Sequence, residues 1–138
     1  MGKSVKDAMT PNPRTVTSNE TVVDAARIMK QEDAGVVPIV DGNRVVGVLT
    51  DRDIAIKVVA EGKDPKSAKV TDIASRDLVT VDPQQDLDEA LRLMARHQVR
   101  RLPVVEEDGR LVGILAQADV ARTGDDKKTG EVVEEISK

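Results

Sequence analysis

The chain has 138 residues, of which 33% are charged and 39% belong to the hydrophobic set, and its formal net charge is −4. This composition is typical of a globular protein with one compact body or two interlocked halves, and no apolar run approaches the roughly 20 residues of a membrane helix. The absence of cysteine excludes disulfides and thiolate metal sites. The acidic balance and the absence of Phe, Tyr and Trp disfavour a nucleic-acid binder, because phosphate affinity needs a basic face and base stacking needs aromatic rings.

The N-terminal residues carry no recognisable targeting signal. Residues 1–6 lack the apolar core of a signal peptide, and Lys6 stands where a myristoylation motif needs Ser or Thr. We therefore expect a cytoplasmic protein that does not associate with a membrane.

A short strand and an amphipathic helix are predicted first along the chain. Residues 15–17 have the composition of a strand, and Thr21 and Asp24 have the spacing of a capping box, which predicts that a helix begins after Thr21. The predicted inner face of this helix consists of Val22, Ala25, Ala26 and Met29.

A β-hairpin and a second helix follow. Residues 36–40 and 45–49 are apolar, β-branched runs joined by an Asp-Gly turn, which is a hairpin signal. Because both runs are nearly all apolar, we expect the sheet to be covered on both faces. The second helix is predicted from residue 51 to about residue 61 and ends before Gly62.

The second half of the chain repeats this order. Asp86 predicts the start of a helix, residues 102–105 and 111–115 predict a hairpin, and residues 117–122 predict a last helix. The inner face of the first of these helices is predicted to consist of Leu87, Ala90, Leu91 and Met94. Pairs in register between the two halves include Val5/Val70, Val16/Val81, Met29/Met94, Pro38/Pro103, Gly47/Gly113 and Asp53/Asp119. Two such copies predict a pseudo-twofold object with two equivalent clefts at its seam.

With Val-Pro-Ile-Val before the Asp-Gly hairpin and Gly-Val-Leu-Thr-Asp-Arg-Asp-Ile after it, the two βαββα copies resemble a tandem pair of CBS domains, called a Bateman module. They look most like the small stand-alone bacterial two-CBS proteins, such as hypoxic response proteins. The resemblance covers about residues 3–122 and implies an α/β (α+β) fold in which the two repeats face each other through their sheets. It divides the chain into repeat 1 with its N-terminal segment (1–62), a linker (63–69), repeat 2 (70–122) and a polar tail (123–138), which we expect to be mobile unless a partner holds it.

The resemblance also implies a function. Members of this family bind adenosine-type ligands in one or both seam clefts, so it implies a non-catalytic regulatory module that binds AMP, ADP or ATP, with S-adenosylmethionine and NAD less favoured. It further implies a homodimer that signals to an unknown downstream protein by a conformational change. The alternative is a ligand-free module for dimerisation or protein interaction.

The first predicted cleft depends on Thr50 and Asp53. By resemblance, Asp53 holds the ribose hydroxyls and Thr50 assists, and a carboxylate suits a vicinal diol because it accepts two charge-assisted hydrogen bonds. Arg52 adds a cation. The purine is expected against Ala34, Gly35, Val36, Ile73, Ala74 and Val79. Thr50 and Asp53 also have the spacing of a capping box, which needs no ligand, and we favour coexistence of the two roles.

The second predicted cleft depends on Asp119, but Ala116 replaces the hydroxyl residue of the motif. Arg100 and Arg101 precede the second Pro-containing strand, where the family often places a basic residue against phosphate; an ordinary solvated face is the equally weighted alternative. The opposite segment is expected to contribute Met9, Thr10 and Arg14. We therefore expect the two sites to differ in affinity or in preferred phosphate number.

Neither a metal site nor a catalytic site is predicted. His97 is the only histidine, whereas a zinc site usually needs three or four ligands, and its place at a helix end suits an ordinary dipole interaction. No Ser/His/Asp or Cys/His set is supported by spacing. We expect no resident cofactor, no metal and no enzymatic activity.

Overall fold

The computed structural model describes residues 3–75 and 78–123, with side chains up to residue 120. The expected mobile tail therefore lies outside the described residues after Thr123. Within the described part of the chain, every helix is too short or too polar to cross a bilayer.

The predicted helices and hairpins occur in the predicted order, and two short helices, Val5–Ala8 and Val70–Ile73, were not predicted. The elements are α1 Val5–Ala8, β1 Thr10–Pro11, β2 Val16–Thr17, α2 Val22–Glu32, β3 Val36–Asp41, β4 Arg44–Thr50, α3 Asp51–Ile54 with a π-helical continuation Ala55–Val59, α4 Val70–Ile73, α5 Leu87–His97, β5 Arg101–Val105, β6 Leu111–Ala116 and α6 Gln117–Thr123. The hairpin turns contain Gly42 at φ 64° and Gly109 at φ 87°, left-handed conformations in which glycine costs least.

The chain forms two compact units whose boundaries differ from those of the sequence repeats. We call the described residues of 13–78 the first-repeat unit, and the described residues of 1–12 and 79–138 the second-repeat unit. Each repeat thus incorporates the segment that precedes the other repeat in the chain. The predicted divisions at residues 62 and 70 describe the repeated sequence, whereas these units describe the packing.

Backbone hydrogen bonds explain why these segments join their units. The N–H of Val22 donates to the Ala68 carbonyl (2.9 Å), and the N–H of Val70 donates to the Glu20 carbonyl (3.0 Å). In the second-repeat unit, the N–H of Leu87 donates to the Lys3 carbonyl (2.9 Å). The predicted linker is therefore an integral part of the first-repeat unit.

The two units have the same sheet. In the first-repeat unit the strand order is β2-β3-β4, with β2 parallel and β4 antiparallel to β3, and Ser75 forms an antiparallel bridge to Val48 on β4. In the second-repeat unit the order is β1-β6-β5, Thr10 of β1 pairs antiparallel with Ile114, and Val81 forms a parallel bridge to Val104. Every pairing of one unit thus has an equivalent in the other.

Each unit has its own aliphatic core. The first-repeat core contains Val16, Val22, Ala25, Met29, Val37, Ile39, Leu49, Val58, Val70 and Ile73. The second-repeat core contains Val5, Ala8, Val81, Leu87, Ala90, Leu91, Met94, Leu102, Val104, Leu115 and Val120. The predicted inner faces of α2 and α5 are confirmed except at Ala26, which is half-buried.

The structure corrects the prediction of a regular α-helix from residue 51 to about residue 61. Only Asp51–Ile54 is α-helical, and the following turn is wider, since the N–H of Ala60 donates to the Ala55 carbonyl five residues back (2.9 Å). In this geometry Val58 is fully buried, whereas Ile56 and Val59 remain exposed. π-helical turns are rare and occur frequently at functional sites.

Candidate functional site

Thr50 and Asp53 form a capping box at the junction of β4 and α3. The Asp53 N–H donates to Thr50 Oγ1 (3.0 Å), and the Thr50 N–H donates to Asp53 Oδ2 (3.1 Å). The capping role is therefore confirmed, while the ribose role stays a prediction. The capping box uses only one of the roughly four lone-pair positions of the carboxylate, so Asp53 can accept further hydrogen bonds.

Lys57 is a member of this cluster that the sequence analysis missed. Its ammonium lies 3.2 Å from Asp53 Oδ1 and donates to the Ile73 carbonyl oxygen at 3.1 Å. The Asp53 side chain is only 14% exposed, whereas that of Lys57 is 45% exposed. Lys57 thus links the start of α3 to the end of α4, and both oxygens of Asp53 have a partner within the protein.

The residues predicted to line the purine lie around the same junction, with one exception. The Asp51 N–H donates to the Gly35 carbonyl (3.0 Å), which joins the segment of Ala34, Gly35 and Val36 to the start of α3. Ala74 faces Gly47, where an added Cβ would lie 3.8 Å from the Ala74 Cβ.

Two further predicted lining residues are placed by their units. Ile73 is buried in the first-repeat core at the end of α4. Val79 belongs to the second-repeat unit, where it packs half-buried against that unit's core. Its predicted place in the first site therefore stays a prediction.

Arg52 and Arg14 also belong to the first-repeat unit. The Arg52 side chain is exposed. Arg14, predicted for the second cleft, makes a hydrogen bond to Gln31 Oε1 and lies 3.8 Å from Glu32 Oε1. Its guanidinium is therefore engaged at the end of α2, and its proposed contact with the second ligand stays a prediction.

The second-repeat unit retains half of the capping arrangement. The Ala116 N–H donates to Asp119 Oδ2 at 3.2 Å, although residue 116 has no hydroxyl to accept a bond in return. Asp119 is buried, with 8% of its surface exposed. The carboxylate of Asp119 therefore keeps the backbone contact that Asp53 makes with Thr50.

The basic and apolar residues predicted for the second site occupy the matching positions. Arg100 and Arg101 are exposed, and the Gln117 N–H donates to the Arg100 carbonyl (2.8 Å). Met9 packs so closely over Gly113 that an added Cβ would lie 2.5 Å from Sδ of Met9 and 2.9 Å from the Thr10 carbonyl oxygen. The packing there is tighter than at Gly47, where the nearest atoms would lie at the ordinary contact distance of 3.8 Å.

Gln117 is a second residue that the sequence analysis missed. Its Nε2 is buried and has no hydrogen-bond partner among the described residues. It occupies the position that Asp51 holds in the other repeat, so its amide is one more difference between the two junctions. A sequence comparison of the repeats could have drawn attention to it, because an amide replaces a carboxylate.

Metal ligands do not converge in the described part of the chain: residues 3–75 and 78–123 contain no group of three or more His, Asp or Glu side chains suited to an ion. His97 is exposed at the end of α5.

The repeated unit, its hairpin and its capped junction are those of a CBS domain, and the chain belongs to the CBS domain family, whose model matches residues 5–60 and 70–125. The CBS domain-containing protein YhcV of Bacillus subtilis is 45% identical over 118 residues, which are 86% of this chain and 83% of that protein. Hypoxic response protein 1 of Mycobacterium tuberculosis is 42% identical over 120 residues, with the same coverage of 86% and 83%.

Solved structures agree with this assignment. Hypoxic Response Protein I with two coordinated zinc ions has a TM-score of 0.80 at 42% identity, covering 87% of this chain and 98% of that one. The CBS domain pair of protein MJ0100 in complex with 5′-methylthioadenosine and S-adenosyl-L-methionine has a TM-score of 0.80 at 30% identity, covering 88% and 95%. CBSX2 in complex with AMP has a TM-score of 0.75 at 32% identity, covering 88% and 95%. The predicted family and the α+β tandem CBS fold are confirmed.

Proposed function

We propose that the chain is a non-catalytic regulatory module that binds an adenosyl ligand at the Thr50–Asp53 junction of the first-repeat unit. The observation that carries this proposal is the placement of the Asp53 carboxylate, which the Thr50 N–H and the Lys57 ammonium hold in a largely buried position. Similar CBS pairs in complex with AMP, 5′-methylthioadenosine and S-adenosyl-L-methionine support the ligand class.

The chemistry of the junction suits a ribose. The carboxylate of Asp53 has lone pairs left for the 2′- and 3′-hydroxyls after it accepts bonds from Thr50 and Lys57. Ala34, Gly35 and Ala74 offer small surfaces to a purine, which in a chain without aromatic residues must pack against aliphatic groups. Nothing in this set acts as a nucleophile–base pair, so the proposed output is a change in conformation.

The second-repeat unit is proposed to hold a different ligand or to bind more weakly. Asp119 retains the position of the ribose carboxylate, and Arg100 and Arg101 favour a phosphorylated ligand. Met9, however, covers Gly113 where the first-repeat unit has the smaller Ala74. We propose that this larger side chain leaves less space for a purine at the second junction.

We also propose a homodimer through the π-helical segment. Ile56 and Val59 are 46% and 71% exposed, and exposed aliphatic side chains on one segment favour association. A second copy of the chain would remove both from water. A change of conformation on ligand binding would then reach a downstream protein through the dimer.

A ligand-free interaction module is the second candidate function. It is favoured by the observation that the capping box and Lys57 satisfy both oxygens of Asp53 without any ligand. In this case the exposed aliphatic pair would be the functional surface. Binding measurements separate the two candidates.

The test is isothermal titration calorimetry with AMP, ADP, ATP, NAD and S-adenosylmethionine. We expect at least one adenosyl compound to bind, and at 100 times its dissociation constant it should stabilise the fold by about 2.7 kcal/mol. Asp53→Asn should raise the dissociation constant of that ligand by about tenfold to a hundredfold, because charge-assisted hydrogen bonds to the ribose are lost.

Asp24→Asn is the matched control. Asp24 forms the same capping box with Thr21 at the start of α2, so Asp24→Asn reports the cost of weakening a capping box, while only Asp53→Asn, which also removes the ion pair with Lys57, should affect binding. Equal affinities of Asp53→Asn and the unchanged chain would refute the ribose assignment. Absence of binding across the panel at millimolar ligand would favour the interaction module.

A further inference from the structure

We propose that Lys57 determines charge selectivity at the Asp53 junction, so that anionic adenosyl phosphates are preferred over neutral or sulfonium-bearing adenosyl compounds. This inference rests on the proposed function of the same junction and names the residue that selects among its ligands. It starts from the ion pair between Lys57 Nζ and Asp53 Oδ1 at 3.2 Å.

The charge at the junction would differ greatly without this lysine. A partly buried carboxylate alone attracts cations and repels phosphate, since charges at such short range interact strongly where water is displaced. The positive charge of Lys57 balances the negative charge of Asp53, and the carboxylate still offers lone pairs to a ribose. Arg52 and Asp51 are both exposed on the same segment and their charges cancel, so Lys57 changes the net charge of these residues from negative to neutral, which lowers the repulsion of a phosphate.

The position of Lys57 is fixed by more than one contact. Its ammonium also donates to the Ile73 carbonyl at 3.1 Å, at the end of α4 and one residue before the predicted purine contact Ala74. The π-helical turn from residue 55 to 59 carries this side chain. A lysine held between a carboxylate and a carbonyl keeps its charge within a few ångströms of any ligand that Asp53 binds.

The repeat fold does not require this cation. Thr123 stands at the equivalent position of the second repeat, so a CBS repeat folds without a lysine there. The second-repeat unit instead has Arg100 and Arg101 before β5. Each junction therefore has its own source of positive charge.

The experiment compares three ligands that share the adenosine group and differ in charge: AMP, 5′-methylthioadenosine and S-adenosylmethionine. Their dissociation constants are measured by calorimetry with the unchanged chain, Lys57→Met and Lys57→Arg. The ratio of two ligands' constants cancels any effect that Lys57 has on the shared ribose, including competition for Asp53.

We expect Lys57→Met to shift the ratio of AMP to 5′-methylthioadenosine affinity by at least about fivefold against AMP, and S-adenosylmethionine to gain relative to both. Lys57→Arg should restore most of the AMP preference because it keeps the charge. Lys63→Met, which removes an exposed lysine from the same unit, is the matched control and should leave the ratios unchanged.

Two results would overturn the inference and leave the proposed function intact, and a third would refute the proposed function itself. Unchanged ratios in Lys57→Met with all ligands still bound would refute charge selection and leave the adenosyl site in place. Loss of all three ligands by a folded Lys57→Met would show that the lysine is only a structural support. Failure of the unchanged chain to bind any of the three would instead refute the proposed function. If Lys57→Met does not fold, Lys57→Gln is measured in its place.

Discussion

The first-repeat unit and the second-repeat unit have equivalent strands and equivalent backbone links, but they differ where the last strand meets the following helix. Thr50 and Asp53 form both halves of a capping box, whereas Ala116 and Asp119 form only one. In both units the carboxylate accepts the N–H at the end of the strand. The backbone contact of the acid is thus common to both junctions, whereas the hydroxyl that completes the capping box is present in only one.

The packing over the equivalent glycines Gly47 and Gly113 also differs between the two units. An added Cβ at Gly47 would meet its nearest atoms at 3.8 Å, but at Gly113 it would lie 2.5 Å from Met9 Sδ. Met9 and Ala74 are equivalent residues of the segments that precede β1 and Ser75. The packing over the glycine is therefore tighter in the second-repeat unit than in the first-repeat unit.

The largest effect is expected from adding a methyl group at these glycines. Gly113→Ala should destabilise the fold by about 1–3 kcal/mol, because Met9 and the Thr10 carbonyl must move to relieve the overlap. Gly47→Ala should cost clearly less, since its contacts are ordinary van der Waals distances. Chemical denaturation of both variants checks this, and equal losses of unfolding free energy would refute the packing difference.

A smaller effect is expected from exchanging the hydroxyl between the two junctions. Thr50→Ala should cost about 0.5–2 kcal/mol of unfolding free energy, because the Asp53 N–H loses its acceptor. Ala116→Thr should be neutral or stabilising, since the new hydroxyl can accept from the Asp119 N–H. Chemical denaturation, with one common dependence of the unfolding free energy on denaturant concentration, measures both changes. Destabilisation by Ala116→Thr would contradict the equivalence of the junctions.

The sequence predicted most of the fold because its main signals are local. The capping box at Thr21 and the Asp-Gly hairpins depend on neighbouring residues, and their structures are confirmed. The apolar periodicity of α2 and α5 likewise identified the buried residues of these two helices. The family resemblance, and not any local pattern, placed Ile73 and Ala74 beside the first junction.

What the sequence did not predict depends on contacts between distant residues or on a change of helix geometry. Lys57 follows Asp53 at the spacing of an ordinary surface pair, and only the structure joins its ammonium to the Ile73 carbonyl. The π-helical turn has no sequence signature that periodicity could detect. The close contact of Met9 with Gly113 likewise depends on the pairing of β1 with β6.

The most direct test of the central claim is to observe which junction responds to an adenosyl ligand. Amide chemical shifts of the ¹⁵N-labelled chain are followed during a titration with AMP. We expect the amide signals of Gly35, Thr50 and Asp53 to move first and at the lowest ligand concentration. Early shifts confined to residues 100–119, with those three amides unmoved, would contradict the assignment of the principal site to the first-repeat unit.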